Sequence, residues 1–288
     1  MPKKGKIMGN LLVRALLVLS AVVLASPAHP QDNQVTREIA ALPWKKAPEV
    51  GNIGVVAQVK LSGDFRFLDA SSSSKFIELN GNPPRQNNYV LAPWPLSWFA
   101  VFIFDPSGYV KDDEKLDADE LLRTLKQQNE QGAEERKRLQ LHVLQLTGWA
   151  VEPHYDLQSK RLEWGTRFKV AGTGEETVNY TIRILGRSGV MSVVLVTDPT
   201  NLKEDMRSLR TALNGFDFVS GERYSEYRQG DKMAEYGLAA LVVGGAAAAA
   251  AKSGLLKGFG KFIGIAAIAA LAAVAAFFRN LFRKRKGQ

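Results

Sequence analysis

The 288-residue chain has no cysteine, which excludes disulfides, thiolate nucleophiles and cysteine-based metal centres. Its net charge of +9 is confined to the ends: residues 1–28 hold +4 and residues 236–288 hold +8, with no acidic side chain in either, so residues 29–235 stand at −3. A mildly acidic middle lacks the basic face that phosphate neutralisation requires, and nucleic acid is excluded as a partner on that ground.

Residues 1–14 are basic, 15–25 are an apolar run, and Ser26-Pro27-Ala28 places small residues at a cleavage position. This is the layout of a secretory signal peptide over 1–28, and a run of eleven is too short to cross ~30 Å of hydrocarbon. Residues 29–52, rich in Pro and polar groups with Trp44 as an anchor, read as a leader to a domain over 53–235. In that domain 53–61 and 65–68 are β-rich and flank a Ser62-Gly63-Asp64 turn, which predicts a strand and its hairpin partner. Ser71–Ser74 opens a short helix that ends at Gly81, and 97–104 (SWFAVFIF) is a central strand.

A charged loop over 111–115 leads to Asp117, which caps a helix with Glu120 three residues on. Ala118, Leu121, Leu122 and Leu125 form its buried stripe, and Glu134/Arg138 an i,i+4 pair on its solvated end. Residues 143–151, 161–170, 177–186 and 189–197 are four strands, separated by turns at 153–156, 172–174 and 187–189. Such short links make antiparallel neighbours. A second amphipathic helix over 201–214 starts at Asn201 with Glu204, buries Leu202, Met206, Leu209 and Leu213, and stops at Gly215. The layout is α+β: an antiparallel sheet with helices packed on a face.

Three groups of residues could carry chemistry. Tyr109, Asp112, Asp113 and Glu114 bring carboxylates together that could work as acid and base or bind a hard cation, against the plainer reading of a solvated loop. Gly148-Trp149 with Glu152, Pro153, His154, Tyr155 and Asp156 sets a histidine near a carboxylate, against the plainer reading of a Pro-led turn. No second histidine stands at ligand spacing, so no metal site and no cofactor are expected. The aromatic residues Trp94, Trp98, Tyr109, Trp149, Tyr155, Trp164 and Tyr180 could line a groove, although such residues at strand spacing usually build core. No Gly-x-Ser-x-Gly elbow, Gly-rich phosphate loop or His-Glu-x-x-His pattern occurs.

GYVKDDEKLDADELL, GWAVEPHYD with RLEW, VNYTIRILGRSGV and DKMAEYGLAALVVGG, in that order, resemble an uncharacterised bacterial family, domain of unknown function 2167. The resemblance spans roughly 50–285 and implies an exported protein anchored at its C-terminus, with no assigned activity and no catalytic residues to carry over. Its blocks mark Tyr109, Trp149, Tyr155, Trp164, Asn179, Tyr180 and Arg187 as candidate binding residues, with Asp231-Lys232 beyond them. The order of strand, long helix, strand meander and closing helix also resembles PsbP-like α/β sandwiches, which serve mainly as binding or assembly modules.

At the C-terminus, 262–278 (FIGIAAIAALAAVAAFF) is uncharged and is followed by a basic tail over 279–288. The pair reads as a transmembrane helix with a cytoplasmic end, in keeping with the positive-inside rule. The Ala/Gly-rich stretch 236–261 is a membrane-proximal helix or linker, and its apolar part, 236–251, spans only about 24 Å as a helix. The expectation is therefore a protein of the bacterial inner membrane whose main domain is periplasmic and whose partners are the lipid bilayer and an envelope protein. It binds or scaffolds; the alternative is an envelope hydrolase using Asp112 or Asp113 with His154 or Asp156.

Overall fold

The structure is a computed structural model that describes residues 30–80, 84–138, 143–172 and 174–244. The stretch expected as a signal peptide (1–28), the 262–278 run and the basic tail lie outside the described residues. Among the described residues, no helix is long and apolar enough to cross a membrane.

The stretch expected as a leader instead supplies α1 (Pro30–Ala40), β1 (Lys45–Lys46) and β2 (Val50–Ile53). Ile39 is buried and Trp44 donates its indole N–H to the Ile39 carbonyl at 2.8 Å, so this segment belongs to the core. The expected strand over 53–61 is broken by Gly54, whose φ of +55° suits a glycine, and continues as β3 (Ala57–Lys60). β3 does not form a hairpin with β4 (Phe65–Leu68). It pairs with β2 and with β11 (Phe216–Phe218) in a separate three-stranded sheet, while β4 joins the main sheet.

α2 (Ala70–Leu79) is capped by Asp69, which accepts the Ser72 amide, rather than by the serine run itself. β5 (Asn88–Pro93), not foreseen, precedes β6 (Phe99–Asp105). α3 (Ala118–Arg138) starts as expected, with the Glu120 amide donating to Asp117 at 2.9 Å. On its exposed end Glu134 pairs with Lys137 at 2.7 Å. β7 (Leu144–Asp156), β8 (Arg161–Val170), β9 (Glu176–Leu185) and β10 (Val190–Thr197) complete the antiparallel meander. The 153–156 turn is absent: those residues continue β7 through three irregularities of register, and the chain reverses only after Asp156. Pro153 is tolerated because β7 is an edge strand.

The eight strands run in the order β1-β4-β5-β6-β10-β9-β8-β7, with β6 near the centre. α4 (Leu202–Ala212) is followed by a 3-10 turn at Leu213–Gly215 and by β11. Asn201 precedes α4 but makes no side-chain cap bond. The helices are not confined to one face. One face of the main sheet buries Phe67, Leu91, Phe102, Tyr180, Ile182 and Leu195 beneath α4 and the small sheet. The alternate residues, among them Leu68, Val90, Leu162 and Trp164, are covered by α1, α2, α3 and the segment 219–243. That segment, here called the strap, ends in α5 (Leu238–Val243), which is packed against the domain.

Candidate functional site

The corner of the sheet where β7 turns into β8 gathers most of the residues singled out in the sequence. Tyr155 on β7 and Lys160, the turn residue just before β8 at a φ of +55°, both donate to Asp112 Oδ2, at 2.9 and 2.8 Å. Burial opposes the charge on Asp112, but the bonds from Lys160, Tyr155 and Tyr224 outweigh it and hold the carboxyl below the usual range. Burial, followed by the adjacent Asp112 carboxylate, raises the Tyr155 phenol; Tyr224 is raised by burial and by bonds to Tyr109 and Asp112. Tyr109 lies between two rings of the strap, 4.3 Å from Tyr224 and 4.4 Å from Tyr227 by centroid. Tyr224 also donates its hydroxyl to the Val110 carbonyl at 2.9 Å, and Lys160 Nζ lies 5.0 Å over its ring.

The same face receives the rest of the strap. Gly108 has a φ of +101°, and a Cβ there would stand 2.6 Å from the Lys232 carbonyl. That close approach lets the Tyr109 amide donate to Lys232 at 2.8 Å and Tyr109 accept from the Ala234 amide at 2.9 Å, a parallel bridge. Arg187 grips both oxygens of Asp231 at 2.7 Å and donates to the Gly221 carbonyl at 3.1 Å. This fork, with the Arg228 amide, holds Asp231 at about 2, below its usual 3.8. Tyr236 donates to Asp105 at 3.0 Å, and Glu114 accepts the Ala239 amide at 2.9 Å in the first turn of α5. Trp149 donates to the Ala118 carbonyl at 3.1 Å, and Trp164 is buried beneath the strap.

His154 is not part of this group. Consecutive strand residues point to opposite faces. Tyr155 reaches Asp112, so His154 projects to the α4 side, where its Nε2 is 3.8 Å from Glu163 Oε2. Glu163 is buried; it accepts from Arg210 of α4 at 2.6 Å and from the Tyr180 hydroxyl. Burial, with the Glu163 carboxylate beside it, raises the Tyr180 phenol. Asp156 accepts the Gln158 and Ser159 amides at 2.9 and 2.7 Å and shapes the reversal between β7 and β8. Asp113 is exposed, and Asn179 is buried within β9.

The structure therefore joins Tyr109, Asp112, Tyr155 and, through the strap, Arg187. It separates His154 and Tyr180 from them, and it places Trp98 in the core while Trp94 is partly exposed. Lys160, Glu163, Arg210 and Tyr224 were not foreseen as site residues. A lone Glu in the β8 stretch RLEWGTRFKV was the available clue, since an acid on a buried strand face needs a partner. Among the described residues, no three His, Asp or Glu side chains are placed to hold a metal ion.

The blocks that stood out in the sequence thus converge on one feature, the seat of the strap. A family model described as a protein of unknown function (DUF2167) matches residues 46–275, and the chain belongs to that family. No match is found among curated proteins. Among solved structures, the solution structure of cyanobacterial PsbP (CyanoP) from Synechocystis sp. is similar at 12% identity and a TM-score of 0.33, over 57% of this chain and 86% of that one. A likeness at that level carries no argument about function.

Proposed function

We propose that the chain is a membrane-anchored, extracytoplasmic binding or scaffolding protein of the bacterial envelope, without catalytic activity of its own. The observation that carries the non-enzymatic reading is the disposition of its acids and bases. Asp112 is engaged by Tyr155 and Lys160, Asp156 by turn amides, and His154 projects from the opposite face of the sheet. A hydrolase built from Asp112 and His154 needs both within reach of one reacting group. The anchored reading draws on the apolar run at 262–278 and its basic flank, with the signal-peptide pattern at 1–28. It is supported by the strap, whose last helix, α5, is packed on the domain and ends at Val243, with residues 244–261 between it and that run.

The test uses the full-length protein carrying Asp112→Asn with His154→Ala, in membranes, with photo-crosslinking to neighbouring envelope proteins. A binding module with an intact fold keeps its crosslinked partner in the double variant. A hydrolytic activity present in the wild type and abolished in a folded double variant would replace this reading with the enzymatic one.

A further inference from the structure

Among the described residues, the strap enters only one of the hydrophobic clusters. Its Tyr224, Leu238, Leu241 and Val242 are buried with Leu162, Trp164, Leu185 and Val190 of the sheet. The cluster beneath α4 and the small sheet reaches no further along the chain than Phe218. Those beneath α1 and α2, and between α3 and β7, take no residue from 219–243. Helix α3 keeps a second seat of its own. Asn129 accepts the Leu146 amide at 2.9 Å, the Ala118 carbonyl accepts from Trp149 at 3.1 Å, and Leu122 and Leu125 pack on the cluster of Leu144 and Phe168.

The strap is also held without a strand ladder. Its backbone meets the body at two isolated bridges, Tyr109 with Met233 and Gly186 with Arg223. Side chains supply the other ties, chiefly Arg187 to Asp231, Tyr236 to Asp105 and Glu114 to the Ala239 amide. A pull on the chain at 244 loads them in succession: α5 and Glu114 first, then Tyr236, then the Tyr109 bridge, then the Arg187 fork. The series ends at β11, which pairs with β3 at three positions and buries Phe218 in the α4-side cluster. Ties broken one at a time yield at less force than strands sheared together. A segment held by few buried contacts opens while the rest of a domain stays folded.

From this arrangement we infer that the strap is a mechanical latch: tension on the segment after 244 peels residues 219–243 from the domain while the two sheets and α1–α4 stay folded. The domain then has two states, seated and released, and only the released one bares Leu162, Trp164 and Val190 on that face of the sheet. The latch rests on the reading of the chain as anchored at its C-terminus, which supplies the tension, and adds to it a way for load on the anchor to change the surface the domain presents.

The test holds the full-length protein in detergent between magnetic tweezers, by a cysteine at Ser62→Cys and a tag after Gln288. Ser62 is exposed and the native chain has no cysteine, so the handle is unique. A reversible step is expected at lower force than unfolding of the sheet, freeing about 85 Å of chain for the 25 residues 219–243. At constant force Arg187→Ala should raise the ratio of released to seated molecules roughly tenfold, the worth of its fork on Asp231, and leave the force of the later step unchanged. Loss of the strap in the same step as the sheet overturns the latch. So does an early step that Arg187→Ala leaves unaltered, or an Arg187→Ala variant whose two steps weaken alike. Because no bilayer takes part, failure here leaves the anchored reading standing. Release of the chain by alkaline extraction, with the early step intact, instead removes the source of tension and overturns the latch together with that reading.

Discussion

At Gly108 the strap's seat depends on a missing side chain. Alanine there must adopt a left-handed φ and would meet the Lys232 carbonyl at 2.6 Å, a backbone atom that cannot swing aside. Gly108→Ala is expected to destabilise the domain by about 2–3 kcal/mol, measured by denaturant unfolding, with the loss concentrated in strap exchange rates. Asp231 makes the same seat sensitive to acid. Its folded pKa of about 2 lies below the ordinary 3.8, so its contribution is fully present above the higher value and disappears as pH falls through the lower one. Strap protection should accordingly decline between about pH 4 and pH 2, and Asp231→Asn should flatten that part of the profile. Glu163 has the corresponding role on the other face, where it joins α4 to β8 and β9 through Arg210 and Tyr180. Glu163→Ala leaves the buried Tyr180 hydroxyl without its acceptor, and a loss of about 1–3 kcal/mol in thermal or denaturant unfolding is expected.

Among the elements, α5 is too short to be stable alone, with six residues from Leu238 to Val243. It is held by burial of Leu238, Leu241 and Val242 against α3 and the sheet, and by Glu114 at its first turn. Leu238→Ala should cost about 2–5 kcal/mol and release the strap in hydrogen exchange, because the vacated space is enclosed. The meander β8–β10 and helices α3 and α4 were visible in the sequence because period and turn chemistry agreed there. The strap was not: residues 219–237 have little periodicity, and their order comes from long-range partners such as Asp105, Tyr109 and Arg187. The small three-stranded sheet was hidden for the same reason, since β3 pairs with β11 from more than 150 residues away in the chain. His154 and Tyr155 were grouped because they are adjacent, but residues 153–156 are strand rather than turn, and alternation divides them between faces.

For the whole molecule, the sheet is covered on both faces, one by α4 and the small sheet, the other by α1–α3 and the strap, with β7 as its outer strand. The family's sequence blocks secure the last described helix to this body. On the proposed anchored topology, a reporter active only in the periplasm and fused after Gln288 is expected to be silent, because that topology puts the basic tail in the cytoplasm. The most direct measurement combines protease accessibility in spheroplasts with alkaline extraction of the full-length protein. Cleavage of the folded domain from outside, with the uncleaved protein retained in the alkali-washed membrane pellet, is the predicted result. Protection of that domain in intact spheroplasts, or release of the full chain into the alkaline supernatant, would contradict an anchored extracytoplasmic module.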